Sequence, residues 1–405
     1  MTRNHGRRRA ARFVLTAGAA AAAAVTGITG SAAAGAPAAL PTGTILAADT
    51  AAAIANSYIV TFQAGTRAAD VPAVAERLVA KYGGRVEESY TSALTGFHAT
   101  MTRTQARRLA AHPAVRSVEQ DAEVTGDGVQ NNPTWGLDRI DQAALPLSKS
   151  YTFRPAADVT AYVLDTGIRI TNKDFGGRAR DGYDAIDNDN KAQDCNGHGT
   201  HVAGTIGGAT HGVAKDVELV GVRVLDCQGS GSYSAIIKGI DWVTRNAQKP
   251  AVANMSLGGT TSATLNDAVK RSIASGITYA VAAGNDNKDA CKQSPASLPD
   301  AITVAATDST DKRASFSNFG TCVDIFAPGV KILSTSSKSD TGTTTMSGTS
   351  MASPHVAGAA ALVLAANPAF TPKQVRDAMV GNASTKVQDK AGSPAKLLNT
   401  AWLNG

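Results

Sequence analysis

Apolar stretches alternate with helical patterns along the second half of this chain, and this alternation restricts the possible folds more than any other feature. A strand that is apolar at nearly every position is buried on both faces. Such strands, when connected by helices, form a parallel sheet with helices packed on each side. The chain therefore predicts an α/β fold with a mainly parallel sheet. Strands are predicted over 159–164, 217–225, 251–256, 277–283 and 301–306, with helices over 234–246 and 265–274.

Two polar residues follow predicted strands. Asp165 ends the run over 159–164, and Asn285 comes just after the strand over 277–283. The carboxyl ends of parallel strands meet at one edge of the sheet, where open α/β folds place their sites. We therefore expect Asp165 and Asn285 at a functional site, although Asn285 taken alone would pass for a turn asparagine.

A serine stands where a glycine-containing turn leads into an alanine-rich helical pattern. The sequence GTSMASP at 348–354 places Ser350 there. A serine at a helix start is usually only a cap, and it becomes a nucleophile when a neighbouring base removes its proton. The motif NGHGTHVAG at 196–204 offers His198 as that base, with His201 as a rival. With Asp165, the chain order is Asp, His, Ser.

These three motifs and the segments between them resemble the secreted subtilisin-like serine proteases, in the proteinase K and aqualysin branch. The resemblance covers roughly the last two thirds of the chain. It implies a subtilisin-like three-layer fold in which Ser350 is the nucleophile, His198 the base and Asp165 the partner that fixes the imidazole tautomer. The base is the first histidine of the family motif, so His201 is expected to be a packed or hydrogen-bonded neighbour.

The resemblance also implies an oxyanion hole and a peptide-binding cleft. Asn285 matches the side-chain donor of the family, and the Ser350 backbone amide at the helix start would be the second donor. Pro354 is expected in the first turn of that helix, where a proline removes no internal hydrogen bond. Two small-residue segments resemble the strands that hold an extended substrate, and the neutral pocket walls imply broad specificity with apolar or aromatic residues before the cut. The substrate-binding residues implied are Gly229, Ser230, Gly231, Ser256, Leu257, Gly258, Ala282, Ala283 and Gly284.

Length and charge limit the remaining possibilities. At 405 residues, of which 43% are hydrophobic, the chain exceeds one average domain. The leader holds five arginines and no acidic residue, so the formal net charge of +6 minus 5 leaves about +1 for the rest. A nearly neutral protein gives no electrostatic reason to bind nucleic acid. No apolar run after the leader is long enough to span a bilayer, so we expect no membrane anchor, and we expect a monomer.

The first third of the chain reads as a leader and a small domain. Residues 1–36 match a signal peptide, which predicts a secreted, extracellular protein, and the adjacent arginines leave the twin-arginine route open. Residues 37–56 are predicted to be a flexible linker. Residues 57–124 predict a ferredoxin-like β-α-β-β-α-β module, which resembles the inhibitory propeptide of subtilases; a retained accessory domain is the alternative. The catalytic domain is placed over 128–405 and would be released by autoprocessing, and the strand leading to residues 121–127 would lie through the cleft.

Four cysteines in an exported chain favour disulfides over a zinc site, and they permit three pairings. The resemblance to aqualysin selects Cys195 with Cys227 and Cys291 with Cys322. By closing a loop, each disulfide would stabilise the folded state by about 3 to 4 kcal/mol under the chain-entropy model.

Structural calcium is implied by the resemblance alone. Oxygen ligands suit calcium, and surface residues that bind nothing are the alternative at each site. One site would use the carbonyl oxygens of Pro299 and Ala301 with the carboxylate of Asp324. A second would use Asp138 and Asp141, with Gln142, Ser148 and Ser150.

Two other functions fit parts of this pattern. An inactive homologue that only binds peptides would lack a catalytic residue or the oxyanion asparagine, and all four are present. An esterase or peptide ligase could use the same acyl-enzyme chemistry. Rates on matched ester and peptide substrates would separate that alternative from a serine endopeptidase.

Overall fold

The computed structural model describes residues 41–48, 53–122 and 128–404. The predicted signal peptide over 1–36 and most of the predicted maturation junction lie outside these ranges. The first folded unit has five strands in the order β1-β5-β2-β4-β3. Its elements are β1 (Ile45–Leu46), β2 (Ala53–Phe62), α1 (Val71–Tyr82), β3 (Arg85–Tyr90), β4 (Gly96–Thr100), α2 (Arg103–Ala110) and β5 (Val115–Ala122).

From β2 onwards this unit has the ferredoxin-like order β-α-β-β-α-β, as predicted. The sequence did not locate β3, because this strand is charged and no residue of it is buried. The linker prediction over 37–56 is wrong for its described part. Ile45 is buried and β1 pairs in parallel with β5, while β2 already begins at Ala53, since apolar side chains here complete the small core.

The second unit is built on a seven-stranded sheet in the order β16-β15-β13-β11-β8-β10-β9, and every neighbouring pair is parallel. The strands of this sheet are β8 (Thr160–Asp165), β9 (Ala179–Asp184), β10 (Glu218–Arg223), β11 (Ala251–Met255), β13 (Thr278–Ala282), β15 (Ile302–Thr307) and β16 (Ile325–Pro328). Three short antiparallel pairs are β6 (Gly128–Asn131) with β7 (Ser150–Phe153), β12 (Gly259–Thr260) with β14 (Gln293–Ser294), and β17 (Ile332–Thr335) with β18 (Thr343–Met346).

Helices cover both faces of this sheet. They are α3 (Trp135–Ile140), α4 (His198–Gly207), α5 (Tyr233–Asn246), α6 (Ala263–Ala274), α7 (Thr349–Ala366) and α8 (Pro372–Gly381). The side chains of β8 show why the strand is apolar throughout. Ala161 and Val163 belong to the core cluster that contains α7, and Tyr162 and Leu164 belong to the cluster that contains α5 and α6. The three-layer α/β architecture is therefore as predicted.

Helix α7 corrects one expectation. By length and composition it is apolar enough to cross a membrane, so the prediction that no such run follows the leader is wrong. It is 83% buried within the protein, where it packs against β11, β13 and β15. Its apolar character therefore reflects its place in the core.

Candidate active site

Asp165 and His198 form the centre of the site. Asp165 is the last residue of β8 and is fully buried, while His198 begins α4. The imidazole Nδ1 lies 2.7 Å from Asp165 Oδ1. Burial opposes the charged form of His198, yet the charge and hydrogen bond of Asp165, aided by Asp194, raise the pKa of His198 above its usual value. His198 can therefore accept a proton, because Asp165 stabilises the protonated imidazole.

His201, the rival base, has a different environment. It is fully buried, and its Nε2 lies 2.9 Å from the Ile332 carbonyl oxygen, to which it donates. Burial lowers the pKa of His201 to about 4. This histidine packs between α4 and the β17 strand as a neutral side chain, as the resemblance implied.

Asp194 organises the loop that carries His198, and sequence reasoning missed it. Its Oδ1 accepts hydrogen bonds from Thr166 Oγ1 at 2.9 Å and from the Gly197 amide at 2.8 Å. Its Oδ2 accepts from the hydroxyl and the amide of Thr200. One carboxylate thus joins the end of β8 to the first turn of α4. The available signal was an aspartate two residues before an Asn-Gly pair, which is typical of a turn that the aspartate side chain closes.

Ser350 lies in the first turn of α7, at the carboxyl edge of the sheet. Pro354 is inside this helix rather than in its first turn, so the expectation that it removes no hydrogen bond is wrong. A proline at this position removes the amide that would donate to the Ser350 carbonyl oxygen. The Ser256 hydroxyl donates to that oxygen instead, at 2.8 Å.

Ser350 and His198 line one cleft of about 760 Å³. In this structure the Ser350 hydroxyl donates to the Ser256 carbonyl oxygen at 3.2 Å. Catalytic hydrogen bonds are often unformed without substrate. The residues that line the cleft are Thr166, Asn196, His198, Leu225, Gln228, Gly229, Ser230, Gly231, Ser232, Tyr233, Ile236, Ser256, Leu257, Gly258, Gly259 and Ser350.

Asn285 is oriented by the residue that precedes Ser350. Its Oδ1 accepts hydrogen bonds from the Thr349 amide at 2.8 Å and the Thr349 hydroxyl at 3.0 Å. Because the side-chain oxygen is held in this way, the Nδ2 donors must point elsewhere. A Cβ placed on Gly348 would lie 3.7 Å from Asn285 Nδ2. The amide nitrogen therefore faces the segment that carries Ser350.

The predicted substrate segments differ in their placement. All residues of the segments 229–231 and 256–258 line the cleft. Residues 282–284 are not among the lining residues, because Ala282 and Ala283 are buried in the core and Gly284 lies against Gln293. A Cβ on Gly284 would collide with Gln293 Oε1, and one on Gly258 would lie 3.9 Å from it.

Gln293 is thus a second residue that sequence reasoning missed. Its side chain lies beside both predicted pocket walls, and its Nε2 donates to Asp286 Oδ2 at 2.8 Å. Nothing in the local sequence marks it, because only the fold brings β14 beside β12.

Comparison with known proteins agrees with this geometry. The model of the subtilase family matches residues 156–399, and the model of the I9 peptidase inhibitors matches residues 57–126. The chain is 55% identical to an extracellular serine proteinase of a Thermus species, over 82% of this chain and 81% of the other. The chain belongs to the subtilase family. It is therefore a serine peptidase, with an inhibitor I9 domain before its catalytic domain.

Further relatives agree with the subtilase assignment. The chain is 49% identical to alkaline serine exoprotease A of Vibrio alginolyticus, over 90% of this chain and 70% of the other. A crystal structure of a cold adapted subtilisin-like serine proteinase matches with a TM-score of 0.66 and 54% identity, covering 67% of this chain and 99% of that one.

Both predicted disulfides of this subtilase are present, Cys195 with Cys227 and Cys291 with Cys322. The first joins the loop before His198 to the segment before Gly229. Asn196 Nδ2 also donates to the Cys227 carbonyl oxygen at 3.0 Å. The Cys195–Cys227 disulfide and this hydrogen bond therefore connect the loop that carries His198 to the cleft segment that contains Gly229.

The residues predicted for the second calcium site of this subtilase lie together. Ser148 Oγ lies 3.0 Å from both Asp138 Oδ1 and Ser150 Oγ, and the Ser148 amide donates to Gln142 Oε1 at 2.9 Å. Asp141 Oδ1 is buried and has no hydrogen-bond partner in the described part of the chain. Burial, opposed by the Thr152 hydrogen bond and reinforced by the charge of Asp138, raises the pKa of Asp141 to about 6. An unpaired buried carboxylate oxygen fits a cation site.

The residues predicted for the first calcium site do not fit an ion. The Arg376 guanidinium lies 2.9 Å from Asp324 Oδ1 and also donates to the Pro299 carbonyl oxygen. Asp324 Oδ2 accepts from the Thr303 amide at 2.8 Å. Over 41–48, 53–122 and 128–404, no group of three or more His, Cys, Asp or Glu side chains is placed to hold a metal. A cation site in these ranges would therefore combine at most two carboxylates with carbonyl, amide or hydroxyl oxygens.

Proposed function

We propose that this subtilase is a secreted endopeptidase that cleaves peptide bonds through an acyl-enzyme on Ser350. The observation that carries the proposal is the 2.7 Å pairing of His198 Nδ1 with Asp165 Oδ1, beside a cleft that Ser350 also lines. The same pairing leaves the other imidazole nitrogen, Nε2, free to accept a proton from the cleft side.

The reaction would begin when the Ser350 hydroxyl leaves the Ser256 carbonyl oxygen and donates to His198 Nε2. His198 removes the proton as Ser350 Oγ attacks the peptide carbonyl carbon, and then returns it to the leaving amine. Asp165 holds the Nδ1–H and stabilises the imidazolium during both transfers. Water then attacks the acyl-enzyme by the reverse proton path.

Negative charge on the carbonyl oxygen would be met by two donors, the Asn285 side-chain amide and the Ser350 backbone amide. Thr349 fixes the first by occupying Asn285 Oδ1 from two sides. The second lies in the first turn of α7, where helix amides have no internal partner. Both donors are held before substrate arrives, so little reorganisation is needed during the reaction.

An extended peptide would lie between the segments 229–231 and 256–258, using their backbone groups as strand edges. Leu225, Ile236 and Leu257 give the cleft an apolar part. Among the described residues that line it, only His198 has a side chain that can carry a charge near neutral pH. We therefore expect broad specificity, with apolar or aromatic residues preferred before the cut.

The first 127 residues would be removed from the active enzyme. The I9 match over 57–126 supports an inhibitory propeptide over 57–124 and a catalytic domain from 128, and the name of the Thermus relative supports export through a signal peptide over 1–36. We propose that the propeptide blocks the cleft with its last segment until the enzyme cuts it.

Calcium would be held at Asp138 and Asp141, with Gln142, Ser148 and Ser150. The ion would neutralise two nearby carboxylates and satisfy the buried Asp141 Oδ1. Its role would be to stabilise the structure, and no step of the reaction involves it.

The test is to express the full chain beside Ser350→Ala and the exposed neighbour control Ser347→Ala. The unmodified chain and Ser347→Ala should shed residues up to about 130 and digest denatured protein, and Ser350→Ala should remain unprocessed and inactive. Proteolysis by purified Ser350→Ala, or cleavage of esters without any cleavage of peptides by the unmodified chain, would refute the proposal.

A further inference from the structure

Helix α8 places a cation where the subtilase resemblance implied a metal ion. Arg376, on the middle turn of α8, contacts two oxygens that lie far away in sequence. Its Nη2 lies 2.9 Å from Asp324 Oδ1, just before β16, and its Nη1 donates to the Pro299 carbonyl oxygen, in the segment before β15. These are two of the three oxygens predicted as calcium ligands.

We infer that the Arg376 guanidinium takes the place of calcium at this site, so that the native chain binds no ion there. A calcium ion must lie about 2.3 to 2.6 Å from each of its six to eight oxygen ligands. One guanidinium with a nitrogen against each of the two oxygens fills that space. The other carboxylate oxygen of Asp324 is already paired with the Thr303 amide.

The chemistry of the group suits this replacement. A guanidinium is always charged, is planar, and directs several N–H donors at once to a carboxylate and a carbonyl. It thus supplies positive charge and hydrogen bonds to oxygens that would otherwise face each other unpaired. The Arg376 side chain is only 31% exposed, so water screens the pair less than it screens a surface ion pair.

The replacement also changes what holds α8 in place. A bound ion can be removed by a chelator, whereas a side chain cannot. Arg376 ties α8 to the segments before β15 and β16. This part of the fold should therefore be insensitive to calcium removal, in contrast to the Asp138 and Asp141 region.

The experiment uses the full-length chain with Ser350→Ala, which prevents self-digestion if the enzyme acts as proposed; the calcium counts themselves do not depend on that activity. We would compare this parent with Asp324→Asn, Arg376→Ala, the double variant, and the control Arg245→Ala. Arg245 also pairs with an aspartate on a helix, at 2.8 Å from Asp241, but its side chain is 65% exposed. Bound calcium is counted by equilibrium dialysis against CaCl2, and thermal unfolding is followed in EDTA and in CaCl2.

The parent and Asp324→Asn should bind the same number of ions. Arg376→Ala should bind one more ion than the parent, melt earlier than the parent in EDTA, and recover on addition of CaCl2. The double variant should neither gain an ion nor recover, and Arg245→Ala should match the parent. If Arg376→Ala does not fold, Arg376→Gln is used instead, because it removes the charge with less loss of packing. This variant should also bind one more calcium ion than the parent. Loss of one ion in Asp324→Asn, or no gain in a folded Arg376 variant at millimolar calcium, would overturn the inference.

Discussion

Ser256 and Ser350 exchange two hydrogen bonds. The Ser256 hydroxyl donates to the Ser350 carbonyl oxygen at 2.8 Å, and the Ser350 hydroxyl donates to the Ser256 carbonyl oxygen at 3.2 Å. The first bond compensates for the amide that Pro354 lacks. Asn254 Nδ2 in turn donates to Ser256 Oγ at 2.8 Å. The end of β11 thus fixes the turn of α7 that carries the proposed nucleophile.

Ser256→Ala should lower kcat about fivefold with little change in KM, because a buried carbonyl loses a donor worth about 1 kcal/mol while the backbone edge that binds peptide remains. Steady-state kinetics on a peptide anilide would measure this. Ser315→Ala, at an exposed position outside the cleft, should leave kcat unchanged. An unaltered kcat in Ser256→Ala would show that the hydroxyl does not position Ser350.

Asn285→Ala should reduce kcat about 10²- to 10³-fold, because one of the two proposed oxyanion donors is lost. The variant would be processed by added unmodified enzyme and purified before assay. Asn246→Ala, at the exposed end of α5, is the matched control and should keep full activity. A tenfold or smaller effect would mean that Asn285 does not contact the developing charge.

The pH profile should reflect the raised pKa of His198. Only the neutral imidazole can accept the Ser350 proton, so kcat/KM should fall as the pH drops through that pKa. Because Asp165 raises it, the midpoint of the acid limb should lie above the ordinary histidine value of about 6.5. His211→Gln, which alters a histidine paired with Asp174 instead, should leave the midpoint in place. A midpoint below 6.5 would contradict the pairing seen here.

Gln293→Ala should shift specificity toward large residues before the cut. Removing the side chain that lies between Gly258 and Gly284 opens space beside the cleft. The ratio of kcat/KM for phenylalanine over alanine at that substrate position should rise about tenfold, as expected for a modest change in an apolar pocket. Gln228→Ala, on another part of the cleft lining, should not change the ratio. An unchanged ratio in Gln293→Ala would place the pocket elsewhere.

Asp141→Asn should abolish the stabilisation by calcium at the Asp138 and Asp141 site. In a Ser350→Ala background, the parent should melt at a higher temperature in CaCl2 than in EDTA. Asp141→Asn should melt at the same temperature in both. In EDTA it should be at least as stable as the parent, because the charged group whose buried Oδ1 has no hydrogen-bond partner is gone. Asp158→Asn, an exposed control, should behave as the parent. A full calcium response in Asp141→Asn would exclude this residue as a ligand.

Features that depend on a short stretch of sequence were largely predictable. The strands around Asp165 and Asn285 were located from continuous apolar runs, since a strand buried on both faces must be apolar throughout. Ser350 and His198 were recognised from compact motifs. In contrast, β3 was not located, because its residues are polar and it belongs to the sheet only through its pairing with β4.

The sequence by itself determined the α/β class, the family and the residues proposed for catalysis, because each leaves a local pattern of hydrophobicity or a short motif. Only the tertiary structure decided how those residues are supported. Arg376 lies 77 positions from Pro299. Gln293 comes to lie beside Gly258 and Gly284 through the pairing of two short strands, and Ser256 replaces a donor that α7 lacks. Such contacts depend on how elements that are distant in sequence pack against each other, and no local stretch of sequence specifies that packing.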